Sequence, residues 1–205
     1  ATSIDKCELD APPHIQYLDF AVHQRQWLDE DGALQPLLDH WRTALDGVPE
    51  VLEIVTDYPR PPVQSFRGGA VGVHIPSDTW QRLAAVGRDA GATDFGVVTS
   101  CWAVVLCRYG RCEEVAIGTP TLGREEEAVM GTAGYFVNTV AVRAVVQEQS
   151  TGNAIIEATC DVIASALSHA AAPWSAVVDM LQVRRDLSRP PVYQTACSVV
   201  AGEIS

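Results

Sequence analysis

The sequence GYFVNTVAVRAVV, residues 134–146, is the most informative part of this chain, because it has the apolar pattern of a buried β-strand with one amide inside it. Side chains alternate between the two faces of a strand, so Asn138 shares a face with Phe136, Val140 and Val142. A buried amide must find hydrogen-bond partners. Asn138 is therefore predicted to be either a structural tie to a neighbouring loop or a residue of a functional site.

The composition is that of a globular, acidic protein. The 205 residues are 47% hydrophobic and carry a net charge of -12, and a chain of this length can bury a substantial core. The acidic excess predicts no binding to nucleic acid or to an anionic membrane. The six cysteines contain no CxxC pair and no histidine lies at metal-ligand spacing. We therefore expect free thiols, no metal site and a cytoplasmic location.

Helical and strand patterns alternate along the chain, which indicates the α/β class. The first two predicted helices cover residues 18–30 and 34–46, and Leu34, Leu37, Trp41 and Leu45 form an apolar stripe on the second. Four prolines in residues 49–62 predict an extended connector. The remaining predicted elements are a strand at Val71, Val73 and Ile75, helices over 77–91 and 93–110, strands over 113–119 and 135–146, helices over 152–169 and from Pro173, and a last strand over 193–200. Ser77 and Thr93 are predicted to cap the helices that begin at them.

The signatures of several common enzyme classes are missing, including GxSxG, the P-loop, GxGxxG and HExxH. Residues 40–47, HWRTALDG, are superficially similar to the HxxxDG pattern of acyltransferases. Two additional residues interrupt that pattern, and it lies within an amphipathic helix. His40 is therefore predicted to be a solvent-facing helix residue and not a catalytic base.

Four segments together resemble the C-terminal, acceptor-side lobe of a condensation domain of nonribosomal peptide synthetases. They are YLDFAV (17–22) for YxDFAV, GYFVNT (134–139) with Arg143 for GxFVNTxxxR, HAAAPW (169–174) for HQDxPF, and RDLSRPPVYQ (185–194) for RDLSRxPxFQ. The third segment lacks the Gln and the Asp of the family pattern. Ala172 consequently occupies a helix-cap position without a capping side chain, and the start of that helix is predicted to fray.

The resemblance implies a fold like that of chloramphenicol acetyltransferase, with a mixed sheet covered by helices. We expect residues 1–205 to form one such lobe, incomplete at its C-terminal end. Its parts would be an N-terminal helical segment (1–48), a Pro-rich connector (49–66) and an α/β core (67–205).

The resemblance also implies positions for individual residues. Residues 119–134 would be the floor loop of a substrate tunnel. The expected tunnel or cleft residues are Asn138, Tyr135, Thr119 and Gly134, with the amide of Asn138 near the floor loop. Arg143, Arg185 and Asp186 are expected to form structural ion pairs.

The implied activity is amide-bond formation in the synthesis of a peptide such as an antibiotic or siderophore. A donor acyl or peptidyl group would leave the phosphopantetheine thioester of one peptidyl carrier protein for the amine of an aminoacyl group on a second. No cofactor is expected to bind the chain directly, because the carriers present the phosphopantetheine. The other expected partners are the N-terminal lobe of the same domain and an adjacent adenylation domain, and the isolated lobe is expected to be able to form homo-oligomers.

The family's HHxxxDG motif, whose second His assists the attack of the amine, belongs to the N-terminal lobe and has no match in this sequence. The chain is therefore expected to be inactive alone, and we assign it no catalytic residue. Two alternatives stay open: a catalytically silent lobe that docks carrier or adenylation domains, and a standalone acyltransferase that forms its cleft by homodimerisation.

Overall fold

The computed structural model describes residues 14–124, 126–184 and 186–200. The helices and strands, in chain order, are α1 (Tyr17–Arg25), a π-helical turn (Gln26–Glu30), α2 (Leu34–Ala44), α3 (Ser77–Asp89), α4 (Asp94–Gly110), β1 (Glu114–Thr121), a short 3-10 turn (Glu127–Val129), β2 (Asn138–Val145), α5 (Gly152–Ser168) and α6 (Trp174–Leu181). The mixture of a small sheet with covering helices confirms the α/β class.

The centre of the fold is the antiparallel pair β1 and β2, in which Gly118 lies opposite Ala141 and Thr121 opposite Asn138. Residues 115–119 of β1 are all buried. Five consecutive buried residues mean that both faces of the strand are covered, since successive side chains point to opposite faces. Helices α4 and α5 contact this pair of strands and each other.

Residues 195–197 lie beside β1 and run parallel to it at one bridge. Gly118 N donates to Thr195 O at 2.9 Å, and Cys197 N donates to Gly118 O at 2.9 Å. This pairing is an isolated parallel bridge between Gly118 and Ala196, and the strand predicted over residues 193–200 does not form. A Cβ on Gly118 would come within 2.3 Å of the ring of Tyr193, so only glycine lets this segment pack so close to β1.

The strand predicted at residues 71–75 is wrong. Residues 67–76 have no regular structure, and Val71 and Val73 are 90% and 83% exposed. Alternating apolar residues favour a strand only when a neighbouring strand accepts the backbone hydrogen bonds. The described residues supply no such neighbour for this segment.

The apolar stripe of α2 packs into the core as predicted. Trp41 and Leu45 are buried with Val140, Ala166 and Val177, which joins α2 to β2, α5 and α6. Thr93 caps α4 as predicted, since its hydroxyl accepts a hydrogen bond from Gly96 N. The cap predicted for the preceding helix is shifted by one residue, because Pro76 and not Ser77 is the N-cap of α3.

The Pro-rich connector is extended and mostly exposed, and hydrogen bonds that it donates to residues 187–194 hold it in place. Leu52 N donates to Gln194 Oε1 at 2.8 Å, Gln64 N donates to Leu187 O at 2.9 Å, and Arg60 donates to Ser188 O. Within the described residues, no single helix is long and apolar enough to cross a membrane, and only α3 and α4 taken together, bent by 107°, satisfy the length and composition criteria.

Candidate functional site

Phe136 is the centre of a cluster that joins the first and second of the four sequence segments. Its ring lies 5.2 Å from that of Tyr17, edge to face, and 4.7 Å from that of Phe20. The guanidinium carbon of Arg124 lies 4.0 Å from the centroid of the same ring. Phe136 is consequently buried. Aromatic pairing and a cation over the ring face each add stability beyond apolar burial.

Arg124 holds the shape of residues 122–134. Its Nη1 donates to Val129 O at 2.6 Å and to Thr132 O at 2.7 Å, and its Nη2 donates to Gly134 O at 3.4 Å. One side chain thus satisfies three carbonyls of a segment that has little regular structure. Sequence reasoning missed this role, because contacts with backbone carbonyls leave no residue pattern.

Residues 15–17 also pack against the segment of residues 122–134. Thr132 Oγ1 donates to Ile15 O at 2.7 Å, and a Cβ on Gly134 would lie 2.4 Å from the ring of Tyr17. The absence of a side chain at Gly134 is therefore required for the contact of α1 with the loop.

The four residues expected in the cleft have different environments. Tyr135 is 75% exposed, whereas Thr119 is 5% exposed. Gly134 is exposed and Asn138 is partly buried. The side chain of Tyr135 is therefore open to solvent, whereas that of Thr119 is enclosed within the fold.

The side-chain amide of Asn138 ties β2 to the connection between α5 and α6. Asn138 Nδ2 donates to Ala170 O and to Ala172 O, both at 2.7 Å, and its Oδ1 accepts from Trp174 N at 3.2 Å. Asn138 lies opposite Thr121 of the expected floor loop, but the hydrogen bonds of its amide go to residues 170–174 and not to that loop. From the sequence, the start of α6 is expected to fray because Ala172 has no side chain that can accept a backbone hydrogen bond. Asn138 Oδ1 accepts that bond from Trp174 N instead, so the reason for fraying is removed.

The second, third and fourth segments meet at Tyr193. Its ring centroid lies 5.4 Å from that of Trp174, and its hydroxyl forms a hydrogen bond with Thr139. Burial raises the pKa of Tyr193, and the bond with Thr139 opposes that rise. Tyr193 is therefore a neutral packing residue at physiological pH.

Arg143 and Asp186 each take part in an ion pair. Arg143 pairs with Glu114 at 2.7 Å and donates to Asp46 O at 2.7 Å, so it joins the two strands to the end of α2. Asp186 pairs with Arg189 at 3.3 Å, and hydrogen bonds from Ser188 lower the pKa of Asp186. Arg143 and Asp186 thus belong to separate pairs. Arg185 lies outside the described residues.

His40 is not simply a solvent-facing residue. Its ring stacks on that of His169, with centroids 3.5 Å apart and planes 3° apart, and the residue is partly buried. Burial lowers the pKa of His40, and the neighbouring His169 lowers it further. The stack joins α2 to the end of α5, so the two histidines that the sequence separates act as a packing pair.

The contact of Ser168 with His169 is not a nucleophile and its base. His169 Nδ1 lies 2.8 Å from Ser165 O and 3.0 Å from Ser168 Oγ. A carbonyl oxygen only accepts hydrogen bonds, so Nδ1 must carry the proton. Ser168 Oγ also donates to Ser165 O at 2.8 Å. Neither His169 Nδ1 nor Ser168 Oγ is therefore arranged to take a proton from the other. The contact belongs to the hydrogen bonding at the C-terminal end of α5.

The chain belongs to the condensation-domain family, whose sequence profile matches residues 3–201. It is 37% identical over 183 residues to malpibaldin synthetase of Mortierella alpina, covering 89% of this chain and 3% of the synthetase. It is 35% identical over 189 residues to tyrocidine synthase 3 of Brevibacillus parabrevis, covering 92% of this chain and 3% of that synthase. The chain therefore corresponds to a small part of the length of these synthetases.

Solved structures confirm the chloramphenicol-acetyltransferase-like fold. The X-domain from teicoplanin biosynthesis is similar with a TM-score of 0.84 and 26% identity, over 91% of this chain and 42% of the X-domain chain. A four-domain nonribosomal peptide synthetase bound to AMP and glycine has a TM-score of 0.84 and 28% identity, over 92% of this chain and 14% of that chain. A complex of the X-domain with OxyB has a TM-score of 0.85 and 25% identity, over 92% of this chain and 42% of the other.

Proposed function

We propose that this chain is the acceptor-side lobe of a condensation domain that forms amide bonds between carrier-bound groups. The donor would be an acyl or peptidyl thioester on the phosphopantetheine of one carrier protein. The acceptor would be the amine of an aminoacyl group on a second carrier. The observation that carries the proposal is the cluster around Phe136, which draws two family segments together and leaves Tyr135 exposed beside them.

Amide formation needs an unprotonated amine held close to the thioester carbonyl, and polar groups where negative charge develops. The described residues suit the positioning part of this task. Arg124 fixes the loop from which Tyr135 extends, and Asn138 fixes the strand that follows it. The 205 residues contain no HHxxxDG, so in this proposal the base that assists amine attack comes from the partner lobe.

The test reconstitutes the domain and follows the product. The chain is combined with an N-terminal lobe that carries HHxxxDG and with the C-terminal residues that condensation domains have after the fourth segment. A donor-loaded and an acceptor-loaded carrier are then added, and mass spectrometry detects condensed product on the acceptor. We expect product from the reconstituted domain and none above the spontaneous background from the 205-residue chain. Product from the chain alone would support the homodimeric acyltransferase instead.

A matched pair of variants tests whether the exposed side chain of Tyr135, beside Phe136, contributes to amide-bond formation. Tyr135→Ala should lower turnover by about tenfold or more, because it removes a side chain from the proposed tunnel while leaving the core unchanged. Tyr58→Ala is the control, since Tyr58 is 83% exposed on the distant connector. Equal turnover in both variants would remove Tyr135 from the site.

A second function, docking without catalysis, has support from one specific comparison. The X-domain that this chain resembles is known in a complex with OxyB, which is a property of that protein. If this chain has the same kind of role, the reconstituted domain would bind a partner protein and yield no condensed product. The product assay with loaded carriers therefore separates the two functions.

A further inference from the structure

The C-terminal end of α4 brings two cysteines together. The helix ends in the sequence CRYGRC, residues 107–112. Arg111 adopts a left-handed conformation with φ of 52°, and Cys112 N donates to Cys107 O at 3.1 Å. This is the hydrogen bond of a Schellman motif, in which the side chains of the two joined residues commonly pack together. In this helix end both of those residues are cysteines.

The two side chains lie in the same part of the core. Cys112 packs against the apolar cluster that contains Cys107. A disulfide requires Cα atoms no more than about 7 Å apart. The path from one Cα through the 3.1 Å hydrogen bond to the other Cα is about 7 Å when fully straight, and its bends shorten it. The backbone therefore already holds the two residues at disulfide range.

The two thiols differ in their access to solvent. Cys107 is 3% exposed, and burial raises its pKa, with Cys112 and Glu114 raising it further. Cys112 is partly exposed and lines a cavity of about 210 Å³ together with Leu52 and Gly110. A small oxidant therefore reaches Cys112 first, and Cys107 is placed to react second.

We propose that Cys107 and Cys112 form a redox-active dithiol site that is oxidised to a disulfide by a small-molecule disulfide such as glutathione disulfide. The Cys112 thiolate attacks one sulfur of the oxidant and releases one thiolate, which takes up a proton. Cys107 then loses its proton to solvent, and its sulfur attacks Cys112 Sγ and releases the second small thiol. Two protein thiols are oxidised, and one small-molecule disulfide is reduced to two thiols.

The resulting disulfide joins the last turn of α4 to the residues that enter β1. The cavity beside Cys112 is also lined by residues 51–53 of the connector, and Leu52 packs against the same apolar cluster. Oxidation therefore acts where the connector meets the core. This proposal is independent of the condensation function, because it uses none of the residues around Phe136.

The test is peptide mapping of the full 205-residue chain after incubation with glutathione disulfide under native conditions. Acid quenching and alkylation in denaturant precede digestion with trypsin, which separates residues 89–108 from residues 112–124. We expect the titratable thiols to fall from the six of the sequence to four. The two peptides should appear as one linked species, lighter by two hydrogen atoms than their sum and separated by a reducing agent.

Three variants locate the bond. Cys101→Ser should retain the link, which excludes the other cysteine of peptide 89–108. Cys112→Ser should lose the link. Cys107→Ser should leave Cys112 trapped as a mixed disulfide with glutathione, which shows both that the variant is reactive and that the second step needs Cys107. A stable mixed disulfide at Cys112 in the unchanged chain, six unreacted thiols in excess oxidant, or a link that disappears in Cys101→Ser would overturn the proposal.

Discussion

Asn138 caps α6 from a different element. Its Oδ1 accepts a hydrogen bond from the backbone N–H of Trp174 at 3.2 Å, at a helix start where the preceding residues are Ala172 and Pro173. Its Nδ2 meanwhile donates to two carbonyls of the chain entering the helix. One amide thus satisfies three backbone groups that the local sequence leaves without a partner.

Asn138→Ala should therefore destabilise the fold. The change leaves two carbonyls and one N–H without their bonds in a partly buried place, and we expect a loss of about 2–4 kcal/mol in the free energy of unfolding. Urea denaturation followed by circular dichroism measures it. Asn153→Ala, at an exposed position of α5, is the control and should change stability little. An unaltered midpoint for Asn138→Ala would contradict the capping role.

Trp41→Ala should cost about 3–5 kcal/mol, because it removes a large side chain from the core and leaves a cavity. Trp41 is 1% exposed, and its Nε1 donates to His169 O at 3.1 Å. Chemical denaturation of this variant is compared with that of Trp27→Ala, since Trp27 is 38% exposed. Equal losses in the two variants would show that α2 does not depend on this anchor.

Arg124→Lys should loosen the loop while keeping its charge. Lysine cannot reproduce the planar group that reaches several carbonyls and lies over Phe136. Hydrogen–deuterium exchange should become about tenfold faster at Met130 and Thr132, whose N–H groups bond within the loop. Arg82→Lys, at an exposed position of α3, should leave these rates unchanged. Unchanged protection in Arg124→Lys would mean that the aromatic cluster alone holds the loop.

Stability should fall as the pH is lowered through the ordinary histidine pKa of 6.5. The pKa of His40 is below that value in the folded protein, first through burial and then through His169. The unfolded chain therefore binds more protons in this range, and its free energy is lowered relative to the folded state as the pH falls. The stabilisation is fully present above pH 6.5.

His40→Gln should remove part of this pH dependence, measured as the slope of unfolding free energy against pH between about 7 and 5. His74→Gln, in the exposed segment after the connector, is the control and should keep the slope of the unchanged chain. Identical slopes in the two variants would assign the pH dependence to other groups.

The isolated chain should self-associate as its concentration rises. An apolar groove of about 460 Å³ is open on its surface, lined by residues that include Val73, Ile75, Trp102 and Val105. Contiguous exposed apolar surface of this kind favours association. Sedimentation velocity should give a weight-average mass that increases with concentration, and Val105→Lys should reduce the increase. A single monomeric species at high concentration would contradict this prediction.

Features that depend on local patterns could be predicted from the amino-acid sequence. The 3.6-residue apolar stripe of α2, the Thr93 cap of α4 and the near-continuous apolar strand β2 each follow from neighbouring residues, and the structure has all three. The order of four motifs was sufficient to identify the family, because motif residues are read without knowing their contacts.

The hydrogen-bond, ion-pair and stacking partners of the polar side chains depend on the tertiary structure. The neighbouring sequence does not specify them. Asn138 bonds residues more than thirty positions away, Arg143 pairs with Glu114 and not with Asp186, and His40 stacks on the distant His169. The alternating residues of 71–75 form no strand, because a strand is stable only beside another. A local pattern specifies what a segment could form, whereas hydrogen bonds and stacking between distant residues depend on the packing that brings them together.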